Sequence, residues 1–112
     1  MKKMYIIRKN YEIQAIISLK DSVKNNYFVL FKRENNLGHF RVVVSVSRKI
    51  GKAVVRNKIK RQIKAIIYKK RHEISQKYDI VLIVRDQINT LSFQEKEKYL
   101  MELLTNANLL TQ

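Results

Sequence analysis

The stretch from Arg41 to Arg61 reads RVVVSVSRKIGKAVVRNKIKR, and a change of period inside it decides the fold. As far as Ser47 the side chains alternate. Val42, Val44 and Val46 make one apolar strand face; Arg41, Val43, Ser45 and Ser47 make a mixed, polar one. After Gly51 the period turns helical and stays so to about Arg71. At about 100° per residue, Val55, Ile59, Ile63, Ile66 and Lys70 gather on one side of that helix, while Asn57, Lys60, Arg61 and Lys64 gather on roughly the other. A half-apolar strand running into a helix with an apolar seam and a basic ridge predicts an α+β domain.

Upstream, Glu34 to Gly38 reads as a turn, so that His39–Ser47 returns as a strand paired with Tyr27–Arg33. In that earlier strand Tyr27, Val29 and Phe31 alternate with Phe28 and Leu30. Two assignments fit. Either Tyr27, Val29 and Phe31 form a shallow platform beside Arg41, Val43 and Ser45, or they are core and Phe28 and Leu30 are the exposed set. Asp21–Asn26 is a turn or a very short strand, and Asn10 is expected to cap a first helix over roughly 11–19, with Ile13, Ile16 and Ile17 at helical spacing. Downstream, DIVLIVR (79–85) reads as a strand buried on both faces. Ser92-x-x-Glu95 is a capping box, opening a last helix with Tyr99, Leu100, Leu103, Leu104 and Ala107 as its apolar stripe. The order is α, short β, β, β, α, β, α. Helices on one side of the sheet would leave the Arg41/Ser45 side partly open.

The 112 residues are one domain's worth, and 46% hydrophobic residues distinguish the chain from a basic disordered tail. Lys and Arg total 24 against 9 Asp and Glu, a net charge of +15. That excess is concentrated. Asn35–His72 holds twelve bases and no acid, whereas residues 73–112 hold four bases and six acids. Such a stretch suits a surface that tracks phosphates. With no Cys there is no disulfide framework, thiolate nucleophile or cysteine zinc site. No apolar run approaches the ~20 residues that span a bilayer, and no signal-peptide core stands at the N-terminus. A cytoplasmic protein with a polyanionic partner is the expectation.

Catalytic groups are sparse. His39 and His72 have no carboxylate cluster near them in sequence, and the scattered acids form no paired-carboxylate or metal-ligand pattern. No catalytic residue, metal ligand or small-molecule site is expected in this chain. A membrane surface is disfavoured, because the Ile/Val seam lacks aromatic anchors and is needed for packing. A single basic helix flanked by strands is not a helix-turn-helix. The residue-level reading leaves an RNA-binding module, such as a ribosomal protein or RNA chaperone, beside a ribonucleoprotein subunit and a protein-only nuclease.

The same stretch closely resembles the signature of the bacterial ribonuclease P protein component, whose RNR region has the form S-x-S-(K/R)-K-x-G-x-A-V-x-R-N-x-I-K-R. The match falls on Ser45, Ser47, Arg48, Lys49, Gly51, Ala53, Val54, Arg56, Asn57, Ile59, Lys60 and Arg61. It continues through Lys9-Asn10, Ser22-Val23, Phe28–Phe31, the YDIVLIVR strand and the last helix, and so covers nearly all of 1–112. The resemblance implies a single αβββαβα domain, ribosomal protein S5 domain 2-like, with a left-handed βαβ crossover. It also implies partners: a catalytic RNA that cleaves the 5′ leader from precursor tRNA with Mg2+, held mainly by the RNA. By position it implies catalytic-RNA contacts at Arg56, Asn57, Lys60 and Arg61, and at Lys64 where Arg is frequent; the basic turn into the helix adds Arg48, Lys49 and Lys52 to that expected surface. A leader cleft is implied at Ile13, Ile17, Val29, Phe31, Arg41 and Ser45. Three departures stand out: Ile13 and Ile17 replace two aromatics, Lys20 replaces a usual Gly, and Asp86-Gln87 replaces a Pro-containing turn.

Overall fold

A computed structural model describes residues 2–111. Its elements are α1 (Asn10–Ser18), β1 (Ser22–Lys24), β2 (Phe28–Glu34), β3 (Arg41–Val46), α2 (Ala53–Lys69), β4 (Tyr78–Val84) and α3 (Phe93–Asn106), the expected αβββαβα order of an α+β domain.

The four strands form one sheet in the order β1-β2-β4-β3. This corrects the expected pairing of β2 with β3. Instead β4 lies between them, antiparallel to β2 from Phe28↔Val84 to Glu34↔Tyr78 and parallel to β3 from Arg41↔Asp79 to Val46↔Val84. The physical reason lies in β4 itself. Ile80, Leu82 and Val84 are buried in the main core, while Val81 is buried on the opposite face. A strand apolar on both faces is poorly suited to an edge. The loop after β2 therefore spans the width of a strand, held where the Asn35 N–H donates to the Lys77 carbonyl at 2.7 Å. The segment β3–α2–β4 is a crossover between neighbouring parallel strands.

The main core lies between one sheet face and helices α2 and α3. Phe28, Leu30, Val42, Val44, Val46, Ile80, Leu82 and Val84 meet Ile59, Ile63, Ile66, Ile67, Leu100, Leu103 and Leu104 there. Phe28 and Leu30 are thus core, and the assignment that exposes them is excluded. Tyr27 departs from the expected Val29/Phe31 face, for its ring packs on Tyr99 at 4.6 Å beside the main core. In α2 the seam is shifted by part of a turn. Ile67 is buried, whereas Val55 stays 39% exposed in the first turn, beyond the reach of the core.

The other face is covered in part by α1, so the helices are not all on one side as expected. Ile16, Ile7 and Val81 form a second, small cluster, with Ile13, Ile17, Phe31, Val43 and Ile83 packed around it. Lys9, not Asn10, occupies the N-cap of α1, and no side chain caps it. The capping box of α3 is present as expected: Ser92 Oγ accepts from the Glu95 N–H at 3.2 Å, and Glu95 Oε1 accepts from the Ser92 N–H at 2.9 Å.

Candidate functional site

A groove of about 370 Å³ runs between α1 and the sheet. Asn10, Ile13, Gln14 and Ile17 of α1 form one wall, residues 43–46 of β3 and Val81 and Ile83 of β4 form the floor, and Lys60 reaches in from α2. The pleat explains this arrangement. Val43 and Ser45 point away from the main core because Val42, Val44 and Val46 point into it. The result is an apolar trough with amide, hydroxyl and ammonium groups at its margins.

Of the residues expected at a leader cleft, Ile13, Ile17 and Ser45 line this groove. Val29 and Phe31 share its sheet face but sit on the farther strand, half-buried; Phe31 packs against the Ile7/Ile16/Val81 cluster instead of forming a wall. Arg41 is committed elsewhere. Its Nε donates to Asp79 Oδ1 at 2.9 Å, and its Nη2 donates to Asp79 Oδ2 and Glu12 Oε2, both at 2.8 Å. Asp79, with no exposed surface, also accepts from Arg33 Nη2 at 3.0 Å and Asn35 Nδ2 at 2.8 Å. Register accounts for the cluster, because Arg33 and Arg41 are the cross-strand partners of Asp79 on its two sides.

This clamp ties α1 to three strands. Burial pushes the Asp79 carboxyl up, but hydrogen bonds from Arg41, Asn35 and Arg33 outweigh it and hold the group below the ordinary carboxylate range. Glu12 is likewise held low, chiefly by its hydrogen bond from Arg41. Arg41 is raised by its bonds to Asp79 and Glu12 and stays charged. Two carboxylates thus neutralise two guanidiniums at this end of the groove.

A second groove, of about 540 Å³, lies along the outer face of α2 and is lined by Asn57, Lys60, Arg61, Lys64, Ala65 and Tyr68. Lys60 borders both grooves. Among the described residues, the bases from Arg48 to Lys64 enter no ion pair; the ion pairs present are made by Arg33, Arg41, Lys69 and Lys70. Arg56 stands apart from the groove, its Nε donating to the Gly51 carbonyl at 3.2 Å and so fastening the turn before α2 to the helix. Arg48 and Lys49 are exposed in that turn, which Ser47 caps by accepting from the Lys49 N–H at 3.2 Å, and Lys52 is the exposed N-cap of α2. Lys49 also lines a depression of about 430 Å³ with Asn26, Ser47, Arg85 and Gln87, which meets the first groove at Ile83.

Three features lie outside the sequence-derived site. Tyr68 stands four residues beyond Lys64 and seven beyond Arg61, so helical phase alone would place it on the ridge. Asn10 and Gln14 are one turn apart on α1 and could be found the same way. The Glu12–Arg41–Asp79 clamp depends on strand order and carries no local signal. Among the described residues, no group of three or more His, Cys, Asp or Glu is placed to hold a metal ion. The chemistry on offer is phosphate and hydrogen-bond recognition on α2, beside an apolar trough fit for bases or sugars.

The family model described as Ribonuclease P matches residues 1–108. The chain is 40% identical over 109 residues to the ribonuclease P protein component of Streptococcus gordonii, covering 97% of this chain and 91% of the relative. With that of Mesoplasma florum it shares 42% over 105 residues, covering 93% and 96%. Among solved structures, the Staphylococcus aureus RNase P protein superposes with a TM-score of 0.89 at 34% identity, covering 96% of this chain and 98% of that one. The Thermotoga maritima RNase P protein gives 0.82 at 31%, covering 89% and 94%.

Proposed function

The chain belongs to the ribonuclease P protein family, and on that premise we propose that it assists a catalytic RNA in the endonucleolytic removal of the 5′ leader from precursor tRNA. As a ribonuclease P protein component it is part of an endoribonuclease complex that acts in tRNA processing. The division of labour is our reading. The ridge of α2 docks on the catalytic RNA, and the groove under α1 takes the single-stranded leader, so that binding both raises substrate affinity and broadens the substrate range. The observation that carries this reading is the sharing of Lys60 between the two grooves, which sets a basic helix directly against a trough with an apolar floor.

Within the trough, Ile13 and Ile17 lie against bases or sugars by van der Waals contact, and Ser45 and Gln14 offer hydrogen bonds. Arg41 is a positioning residue, seating α1 through Glu12 instead of meeting the leader. On this reading Mg2+ and the cleavage chemistry belong mainly to the RNA. No helix among the described residues is long and apolar enough to cross a membrane, and we place the complex in the cytoplasm.

The test is leader removal from a precursor tRNA by a bacterial ribonuclease P RNA at low Mg2+, with and without the protein. Cleavage that requires both components is the expected result. Cleavage by protein alone, or none with either combination, overturns the reading.

A further inference from the structure

We infer that the outer groove of α2 holds an unpaired nucleobase of the partner RNA stacked at Tyr68, with the flanking phosphates on Lys60, Arg61 and Lys64. This deepens the reading of α2 as the RNA-facing helix and rests on it.

The argument starts from the composition of the groove. Asn57, Lys60, Arg61, Lys64, Ala65 and Tyr68 line it, so cations and an amide run without an acid up to one aromatic ring. Cations alone would serve a duplex backbone, which is read by charge and shape. An aromatic ring in line with them adds a surface that, within a nucleic acid, an unstacked base uses, and unstacked bases occur in loops, bulges and strand ends. An acidic peptide would satisfy the three cations and leave the ring without a role.

The ring is also held in place before any ligand arrives. The Arg71 guanidinium lies 4.0 Å from its centroid, while Arg71 Nη1 donates to the Tyr68 carbonyl at 2.8 Å. Tyr5 meets it at 6.4 Å and an interplanar angle of 67°, and Tyr5 is itself stacked at 4.8 Å on Phe40, which is fully buried. A side chain fixed in this way loses little rotamer freedom when a base packs on it. Among the described residues the Tyr68 hydroxyl makes no hydrogen bond to protein, so the core does not demand a tyrosine at this position.

The experiment compares assembly of full-length wild type, Tyr68→Phe and Tyr68→Leu with a bacterial ribonuclease P RNA across a salt series. Tyr68→Leu is expected to weaken assembly about tenfold, within the range of base–aromatic stacking, and Tyr68→Phe by less than twofold. Neither should alter the salt slope, because no charge is lost. An unchanged Tyr68→Leu, an equal loss in Tyr68→Phe, or a loss accompanied by a shallower slope overturns the stacking. A fluorescence measurement avoids dependence on the folding of the leucine variant. The chain has no Trp, so Tyr68→Trp introduces a single indole. Its emission should be quenched by the RNA and not by polyphosphate, and equal responses to both overturn the proposal. In parallel, Arg61→Ala reports on the parent reading: undiminished assembly there refutes α2 as the RNA-facing helix, whatever Tyr68 does.

Discussion

Lys20 holds φ at +59°, in the left-handed region, just after α1 ends at Ser18. An L side chain there carries a steric cost of about 1–2 kcal/mol, which glycine avoids. The side chain is exposed, and among the described residues it enters no ion pair. Lys20→Gly is therefore expected to raise the unfolding free energy by about 1 kcal/mol, read as a higher urea midpoint at unchanged slope. A lower midpoint would show that the helix end is not strained. The resemblance implied a Gly where Lys20 stands, and the backbone angle supplies the reason. Asp79 carries a second prediction. Its folded pKa lies below its unfolded value, so its stabilisation is fully present above the ordinary carboxylate range and is lost as pH falls through the folded value. Glu12 has the same sign. Wild type should thus lose stability steeply below about pH 4, where free carboxyls begin to take up protons. Asp79→Asn should be less stable at pH 7 and show a shallower acid loss. Equal acid slopes in urea unfolding would remove the clamp from the account of stability.

Elements with their own period were legible in the sequence: α2, α3 with its capping box, and β4 as a strand buried on both faces. Their partners were not. The alternation in β2 and β3 is compatible with a hairpin, and only the competition of three strands for the middle of the sheet places β4 between them. The side of the sheet that α1 covers was hidden for a similar reason, since it depends on Ile16 meeting Val81 and on Glu12 meeting Arg41. Residues carried over by position fared according to this geometry. Ile13, Ile17 and Ser45 converge on one groove, whereas Arg41 is drawn into a clamp whose second carboxylate lies 38 residues away. In the proposed function the wall of that groove meets the leader. Isoleucine offers van der Waals contact but no aromatic face, so leader binding should discriminate weakly between sequences. In the Ile13→Phe/Ile17→Phe variant the spread of affinities among leaders of different sequence should widen by about 1 kcal/mol, within the range of a base stack. An equal spread in the two proteins would separate leader selectivity from this wall.

Across the whole molecule the acids and bases are sorted. Asn35–His72 carries twelve bases without an acid, and this imbalance, visible in the sequence, points to the proposed interface more clearly than any single residue. The fold determines which of those bases stay available. Arg41 and Lys69 are turned toward carboxylates distant in the chain, Asp79 and Glu97, and Lys70 toward Glu73 three residues on. Among the described residues, Lys60, Arg61 and Lys64 are left unpaired along one groove. A base that neutralises a phosphate releases condensed counterions, whereas a base already beside a carboxylate contributes little to that release. Equal charge deletions should therefore have unequal consequences. Arg61→Ala/Lys64→Ala should lower the log–log salt slope of assembly with the catalytic RNA by about 1.4–1.8, from roughly 0.7–0.9 per contact, and its deficit should shrink as salt rises. Lys69→Ala removes the same sign of charge from the same helix but from an ion pair at 3.1 Å, and should leave the slope close to that of wild type. Equal slope changes per charge removed would mean that the RNA senses net charge alone. A larger change per charge from the groove pair than from Lys69 would tie binding to the sorting that the fold imposes.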